Sequence, residues 1–287
     1  MLPLIASQRK LYHEALVRLG VLSIDSHGVA SNADKSSKLS CAIAKSIAME
    51  LIGEVGIQEK NVGQTLGGQF EVETMKFVRE TFLSLGNLRP GKWHVERLGN
   101  RSSVKTSSFV QYQHLDYLRE ITSKDPLLAS TLGNDYMVAP DIVIFREPES
   151  DEVINNHKLI VDDSVSHNSV IRLKDNQLPI MHASISAKWT MRSDRAQNSR
   201  TEALGLIRNR KGHLPHIAVV TAEPLPSRLA SLALGTGDID CLYHFALDEL
   251  IKAVQATGAE DSIEMLKILV DGKRLKDISD LPLDLAV

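Results

Sequence analysis

Apolar residues recur along the chain at spacings that predict alternating helices and strands. In 7–19, 38–55 and 70–86 they return every three or four residues, which is typical of helices with one buried face. Further helices are predicted at 108–132 with a break at Pro126, 195–209, 226–234, 247–257 and 261–270. Shorter apolar runs predict strands near Trp93 and Val95 and at 141–146, 158–161, 180–188, 216–223 and 238–245. The remaining C-terminal residues are predicted to form an irregular tail.

The alternation of strands and helices predicts an α/β fold. We expect a central mixed five-stranded sheet with helices on both of its faces. The 287 residues are enough for one large domain or two small ones. Because the sequence contains no internal repeat and no low-complexity linker, we expect a single domain spanning 1–287.

The composition indicates a globular protein of a reducing compartment. Apolar residues make up 43% of the chain and charged residues 24%, which is ordinary for a globular domain. The apolar stretch near the N-terminus is too short for a signal peptide, and no run approaches the roughly 18 residues of a membrane helix. Cys41 and Cys241 fit neither a disulfide scaffold nor a metal site. We therefore expect a cytoplasmic protein without a membrane partner.

The distribution of charge favours a DNA-binding enzyme over a nonspecific coat protein. The formal net charge is only −3, yet seven basic residues stand against two acidic ones between Lys188 and Lys211. Such a local excess is what phosphate contacts require. A basic run can also be an ordinary solvated helix face. The aromatic content of 5% disfavours a single-strand binder, which needs stacking surfaces.

Two weaker signals do not predict sites. Gly235 and Gly237 lack the third glycine and the preceding strand of a dinucleotide loop, so no nucleotide cofactor is expected. His213 and His216 flank a proline without further ligands, which is more typical of a turn than of a zinc site.

Acidic and basic residues at strand ends suggest a site for phosphodiester hydrolysis. Asp141 begins one predicted strand and Lys188 ends another, so adjacent strands would bring the two together. In Ser186-Ala187-Lys188, strand alternation places Ser186 and Lys188 on one face, with the Ala187 carbonyl available as a ligand. Glu202 follows on the next helix. A few carboxylates and a backbone carbonyl can hold Mg²⁺, and a lysine adds positive charge where negative charge develops. Each residue alone is more often a cap or a surface residue.

The segment between Lys188 and Glu202 has the chemistry to recognise G·C base pairs. Arginine bonds bidentately to guanine in the major groove, and aspartate accepts a hydrogen bond from cytosine. Arg192, Asp194 and Arg195 cluster at the start of a predicted helix, from which short side chains can contact base edges. Alternatively, Asp194 caps the helix and the two arginines bind phosphate.

These motifs resemble a known group of enzymes. Pro140-Asp141, Ser186-x-Lys188 and the displaced Glu202 are similar to a variant of the PD-(D/E)XK nuclease signature in which the second carboxylate has migrated to a helix. This variant marks the restriction endonucleases that recognise CCGG-containing sites. The resemblance is closest to the NgoMIV-like type II restriction endonucleases and spans nearly the whole chain, least so at 100–180. The strings that carry it are SNAD, GQT, FE, HASIS-x-KWT-x-RSDRAQN, RNRKG, LPHI-x-VVTAEP and GKRLKDISDLPLDLAV. One departure is Ala187, where the family has cysteine.

The resemblance implies a restriction-endonuclease-like core and assigns the catalytic residues. Asp141, the Ala187 carbonyl and Glu202 are implied to bind Mg²⁺, and Lys188 is implied to be the catalytic lysine. Ser186 occupies the position that is normally acidic. Glu71 is implied to be a further acid near the metal.

The resemblance also implies the target and the assembly. Arg192, Asp194 and Arg195 would recognise the inner CCGG of double-stranded DNA. Four further residues would contact the outer base pairs or the minor groove: Asp34, Ser36, Gln64 and Arg228. The implied site is GCCGGC, cut to leave 5′-CCGG overhangs and 5′-phosphates. The enzymes that this chain resembles act as homotetramers, in which two dimers are placed back to back.

Two other functions are compatible with this fold. The first is a sequence-specific DNA-binding protein without cleavage, against which the presence of Asp141, Lys188 and Glu202 speaks. The second is a repair nuclease. The base-recognising residues disfavour it, because repair enzymes recognise damage or shape more than sequence.

Overall fold

The computed structural model describes residues 2–53, 66–98, 105–132, 140–191, 193–235 and 237–287. At residues 129, 132, 193 and 194 it describes only the backbone. Arg192 and Gln64, two of the predicted DNA-contacting residues, lie outside these ranges.

A mixed sheet forms the centre of the described fold. Its six strands lie side by side in chain order. The strands are β1 (Trp93–Arg97), β2 (Ile142–Arg146), β3 (Ile180–Lys188), β4 (His216–Thr221), β5 (Cys241–His244) and β6 (Leu275–Asp277). Strands β1, β2 and β3 are antiparallel, whereas β3, β4, β5 and β6 run parallel. The prediction of a mixed sheet is confirmed, with six strands in place of the expected five.

Helices flank this sheet. Those of the described residues are α1 (Leu4–Arg18), α2 (Lys38–Gly53), α3 (Leu66–Phe82), α4 (His114–Lys124), α5 (Pro126–Leu132), α6 (Asp151–Ile154), α7 (Ser193–Asn209), α8 (Pro226–Ala233), α9 (Leu247–Ala256), α10 (Glu260–Asp271) and α11 (Leu281–Asp284). Helix α3 packs against β1 and β3, and α1 packs against α3. None of the described helices is long and apolar enough to cross a membrane.

The register of the central strands brings Asp141, Lys188 and Thr221 to the same end of the sheet. Strand β3 is buried from Met181 to Ala187, so its side chains pack on both faces of the sheet, as a central strand requires. Ile142 pairs with Ile185, which places Asp141 next to Ser186 and Ala187. Lys188 pairs with Thr221 at the end of the parallel neighbour β4. The start of β2 and the ends of β3 and β4 therefore meet at the same place.

The predicted strand at 158–161 is wrong. The side chains of Leu159 and Ile160 are 73% and 63% exposed, so this apolar pair does not pack into the core. The Asn155 carboxamide oxygen accepts the N–H groups of Ile160 and Val161 at 2.8 and 3.0 Å, and a side chain thus replaces a neighbouring strand. The chain that follows is held by Arg172, which is 1% exposed, binds the Asp151 carboxylate at 2.6 and 2.7 Å and donates to the carbonyl oxygens of Asp162 and Val165 at 2.9 and 2.8 Å.

The C-terminal tail is not irregular. Leu275 and Asp277 are buried in β6, which adds the last parallel strand to the sheet. The Asp277 carboxylate accepts two hydrogen bonds from Arg9 at 2.9 Å each. Arg9 also binds Glu249 on α9, so a three-residue ion cluster connects the tail to α1 and α9.

Candidate active site

An ion pair between Asp141 and Lys188 lies at the meeting point of β2 and β3. The Lys188 Nζ donates to the Asp141 Oδ2 at 2.8 Å, and the Ala187 N–H donates to the same oxygen at 2.8 Å. Both side chains of the pair are largely buried. Burial lowers the pKa of Lys188, but the nearby carboxylates of Asp141 and Glu202 outweigh that effect and raise it above its ordinary value. The lysine is therefore held in its charged form.

Ser186 lies between two carboxylates. Its Oγ is 3.4 Å from the Asp141 Oδ2 and 3.3 Å from the Glu202 Oε2. Glu202 reaches this position from the third turn of α7, because the helix begins just after β3 ends. Burial raises the pKa of the Glu202 carboxyl, and the charge of Asp141 adds to this effect. The structure thus brings together Asp141, Ser186, Lys188 and Glu202.

Glu71 contributes a third carboxylate from α3. Arg97 at the end of β1 donates from Nη2 to the Glu71 Oε2 at 2.5 Å. Burial and the charge of Asp141 raise the pKa of Glu71 in spite of this partner. The Arg97 Nε is buried without a hydrogen-bond partner among the described residues. Arg97 was not predicted, because only the pairing of β1 with β2, which sets Arg97 opposite Ile142, brings it beside Asp141.

Glu71, Lys188 and Glu202 line an open cleft of about 650 Å³. One further segment, which contains Ser31 and Ala33, also lines the cleft. Its lining comprises Ser31, Ala33, Leu66, Gly67, Gly68, Glu71, Ala187, Lys188, Trp189, Thr190, Arg195, Asn198 and Glu202. Glu71, Glu202, the predicted base-recognition residue Arg195 and the segment that precedes Asp34 therefore face one space.

The donor set fits an open magnesium site. Among the described residues, no three His, Cys, Asp or Glu side chains are grouped as a closed metal site would require. Mg²⁺ in enzymes that act on phosphates is commonly held by one or two carboxylates, with waters completing its coordination. Asp141 and Glu202 approach the same serine hydroxyl. Burial is the main cause of the raised pKa values of Glu202 and Glu71, and the charge of Asp141 adds to it. A divalent cation would favour the ionised form of these buried carboxyls.

The residues predicted to recognise the inner base pairs are described in part. Arg195 at the start of α7 is exposed, and its Nη1 donates to the Thr190 Oγ1 at 2.6 Å. The backbone of Asp194 belongs to the first turn of α7. Arg192, as noted above, lies outside the described residues. Arg195 is thus held at the rim of the cleft, seven residues before Glu202 on the same helix.

The predicted outer pair is assembled from distant parts of the chain. Arg228 on α8 forms an ion pair with Asp34. The other oxygen of Asp34 accepts the Ser36 Oγ–H at 2.7 Å and the Ser36 N–H at 3.0 Å. The hydrogen bonds from Ser36, together with Arg228, lower the pKa of Asp34 to about 2. The structure therefore places Asp34, Ser36 and Arg228 in one cluster.

Comparison with known proteins identifies the family. The family model described as NgoMIV restriction enzyme matches residues 12–287. The chain belongs to this family. It is also 47% identical, over the full length of both chains, to the type II restriction enzyme NgoMIV of Neisseria gonorrhoeae. The protein is therefore a type II restriction endonuclease, a hydrolase that binds double-stranded DNA.

Solved structures of restriction endonucleases also match this enzyme. Bse634I restriction endonuclease is 12% identical with a TM-score of 0.36, covering 86% of this chain and 91% of that one. A restriction endonuclease PspGI–substrate DNA complex is 14% identical with a TM-score of 0.35, covering 99% and 92%. Family membership rests on the two sequence matches.

A second charged residue, Glu223, was also not predicted; its carboxylate lies 3.7 Å from Arg228. It lies two residues after the end of β4, and in the sequence it looks like a turn residue before Pro224. The string VVTAEP, shared with the family, contains it and is the one signal that could have singled it out.

Proposed function

We propose that this restriction enzyme hydrolyses duplex DNA at GCCGGC in a Mg²⁺-dependent reaction, leaving 5′-CCGG overhangs and 5′-phosphates. The observation that supports this most directly is the cluster of Asp141, Ser186, Lys188 and Glu202, whose lysine and glutamate line a cleft shared with Arg195. One nuclease domain spanning 1–287 would contain both the catalytic and the base-recognising groups.

The catalytic residues divide the work of hydrolysis. Asp141 and Glu202, with the Ala187 carbonyl, would hold the magnesium ion. When bound, this ion lowers the pKa of a water and offsets charge on the phosphate. Lys188, held 2.8 Å from Asp141, supplies a fixed positive charge beside the attacked phosphorus. The Ser186 hydroxyl, at similar distances from the Asp141 and Glu202 carboxylates, would orient both of them. Glu71 would provide a further acid at the edge of the cluster.

Recognition would use two sets of charged residues. Arg192, Asp194 and Arg195 recognise the inner CCGG, since arginine pairs with guanine and aspartate with cytosine. Arg228 and Asp34 recognise the outer G·C pair, assisted by Ser36, and Gln64 contacts the minor groove. The ion pair of Arg228 and Asp34 supports this assignment, because it holds a guanine-binding and a cytosine-binding group side by side before DNA arrives.

We further propose a homotetramer built from two back-to-back dimers. An apolar surface supports this assembly. This surface comprises apolar side chains from α6 and the chain that follows it, each between 44% and 73% exposed. They are Val153, Leu159, Ile160, Val165, Val170 and Leu173. Their concentration within one stretch of the chain, 153–173, makes this region a candidate interaction site. A second copy of this chain is the occupant that we propose.

Digestion of a plasmid that carries two GCCGGC sites tests the function. The digestion is run with Mg²⁺ and with EDTA, and the fragment ends are sequenced. Discrete Mg²⁺-dependent fragments with CCGG overhangs are expected. Discrete cuts elsewhere would keep the nuclease and overturn the base assignments, whereas tight binding without any cutting would favour a DNA-binding protein.

A further inference from the structure

Three consecutive residues at the end of β4 form hydrogen bonds to two segments that line the cleft. The Thr221 hydroxyl donates to the Lys188 carbonyl oxygen at 2.8 Å. The Ala222 carbonyl oxygen accepts the Asn32 side-chain amide at 2.8 Å. The Glu223 Oε2 accepts the Met191 N–H at 2.9 Å. This run thus connects the catalytic lysine with both segments from which base recognition is proposed.

Glu223 is the charged member of this run, and it is almost fully buried. It is 1% exposed, and its Oε1 accepts the Leu225 N–H at 3.2 Å. Burying a carboxylate costs free energy unless partners compensate it. Burial accordingly raises the pKa of Glu223, although two backbone N–H groups and Arg228 oppose the shift. Because burying the Glu223 carboxylate is costly, packing alone does not explain its position, and its hydrogen-bond partners indicate a functional role.

On one side, Glu223 fixes the segment that supports Arg195. The Met191 N–H that it accepts belongs to the residue after Thr190. The Thr190 hydroxyl and carbonyl oxygens accept hydrogen bonds from the Arg195 Nη1 at 2.6 and 3.3 Å. The orientation of Arg195 therefore depends on a backbone segment whose position Glu223 sets.

On the other side, Glu223 faces the cluster of the outer base pair. The Arg228 Nη1 lies 3.7 Å from the Glu223 Oε2, while the Arg228 Nη2 pairs with Asp34. The guanidinium thus lies between two carboxylates, that of the buried Glu223 and that of Asp34. One carboxylate consequently contacts both the segment that supports Arg195 and Arg228 itself.

We propose that Glu223 is a specificity-determining positioning residue that orients Arg195 and Arg228 together, so that inner and outer base pairs are recognised in a fixed geometry. This inference rests on the proposed function, namely on base recognition by these two arginines. Glu223 contacts no DNA in this scheme. It acts through the hydrogen bond to Met191 and the charge beside Arg228.

The test measures discrimination between DNA sequences. Dissociation constants are measured in EDTA for duplexes that contain GCCGGC, ACCGGT (outer pair changed) or GACGTC (inner pair changed). Glu223→Gln removes the charge and leaves one oxygen for two N–H donors. We expect its preference for GCCGGC over each altered duplex to fall about tenfold, a sizeable part of what one base pair contributes. Equal weakening on all three duplexes, or unchanged preference, would overturn the inference.

Two further variants separate positioning from loss of stability. Glu249→Gln makes the same change at a buried carboxylate that binds Arg9 away from the cleft, and it should lower stability without changing the preference. Glu223→Asp keeps the charge but is one methylene too short to reach both Met191 and Arg228. It should lose the preference for GCCGGC as Glu223→Gln does. It replaces the glutamine variant in the test if that variant does not fold.

The single arginine variants distinguish the two levels of the argument. If Arg195→Ala and Arg228→Ala leave discrimination at the inner and outer pairs unchanged, the proposed base recognition itself is wrong. If they lose discrimination while both Glu223 variants keep it, only the positioning role is wrong.

Discussion

Glu71 and Arg97 form a 2.5 Å ion pair beside the Asp141–Lys188 pair, although they belong to a helix and a strand that are separate in the sequence. The pair adds a second cation to the carboxylate cluster of Glu71, Asp141 and Glu202. Arg97 therefore offsets part of the negative charge that would otherwise repel a DNA phosphate.

Replacing Arg97 tests this role. In Arg97→Met the carboxylate cluster loses one compensating charge, so the free enzyme should bind Mg²⁺ about tenfold more tightly and bind DNA more weakly in EDTA. Titration calorimetry with Mg²⁺ and fluorescence anisotropy with a cognate duplex measure the two effects. Lys92→Met, which removes an exposed lysine paired with Glu147, should change neither. Unchanged metal affinity in Arg97→Met would contradict the electrostatic role.

Lys188 should be required for cleavage but not for recognition. Lys188→Ala removes the cation beside Asp141 and should abolish cleavage while specific binding remains. Single-turnover digestion and anisotropy on the same duplex measure the two properties. Lys76→Ala, an exposed lysine on α3, is the control. Cleavage that survives in Lys188→Ala would rule out the proposed catalytic site.

Arg195 should determine one inner base pair. Arg195→Ala is expected to cost on the order of 1–3 kcal/mol of binding free energy and to relax specificity at that pair only. Binding to a panel of duplexes, each with one substituted base pair, gives the pattern. Arg208→Ala, an exposed arginine near the end of the same helix, should weaken binding equally across the panel or leave it unchanged. The same uniform pattern for Arg195 would make it a phosphate contact.

Glu202 should lower the stability of the metal-free enzyme at neutral pH. Burial raises its pKa, so the folded protein binds this proton more tightly than the unfolded chain does. The resulting stabilisation is complete below the ordinary pKa of 4.5 and is lost as the pH rises through the raised value. Glu202→Gln is not subject to this loss. Its free energy of unfolding relative to the natural enzyme should therefore increase between about pH 4 and about pH 8, measured by urea unfolding in EDTA. A difference independent of pH would contradict the shift.

The apolar surface should control assembly. Leu159→Ser with Ile160→Ser removes its two most exposed side chains and should convert tetramers into dimers without unfolding the chain, since neither residue is in the core. Light scattering coupled to gel filtration gives the mass. Leu283→Ser, a half-exposed leucine on α11, is the control. Tetramers that persist in the double variant would place the interface elsewhere.

The sequence predicts best where burial is continuous. Strand β3 extends over 180–188, the range that its apolar pattern predicted, because both of its faces are covered. The pattern fails where apolar residues are exposed, as at Leu159 and Ile160. It also fails at β6, whose three residues are too few to show an alternation.

The candidate site could be predicted in part for the same reason. Asp141 and Lys188 flank two well-predicted neighbouring strands, so their meeting follows from the sheet. Arg97 and Glu223 depend instead on which strand lies at the edge and on which loop packs beneath α8. These are properties of the assembled fold, and local spacing does not encode them.

The position of Glu202 on α7 has a consequence for fidelity. Arg195 and Glu202 are seven residues apart on one helix, about two turns. If a wrong base pair did not bind the Arg195 guanidinium and α7 rotated as a result, the Glu202 carboxylate would move away from Ser186. DNA of the wrong sequence would then both bind more weakly and be cleaved more slowly. Selectivity is accordingly expected to be larger in kcat/KM than in Kd.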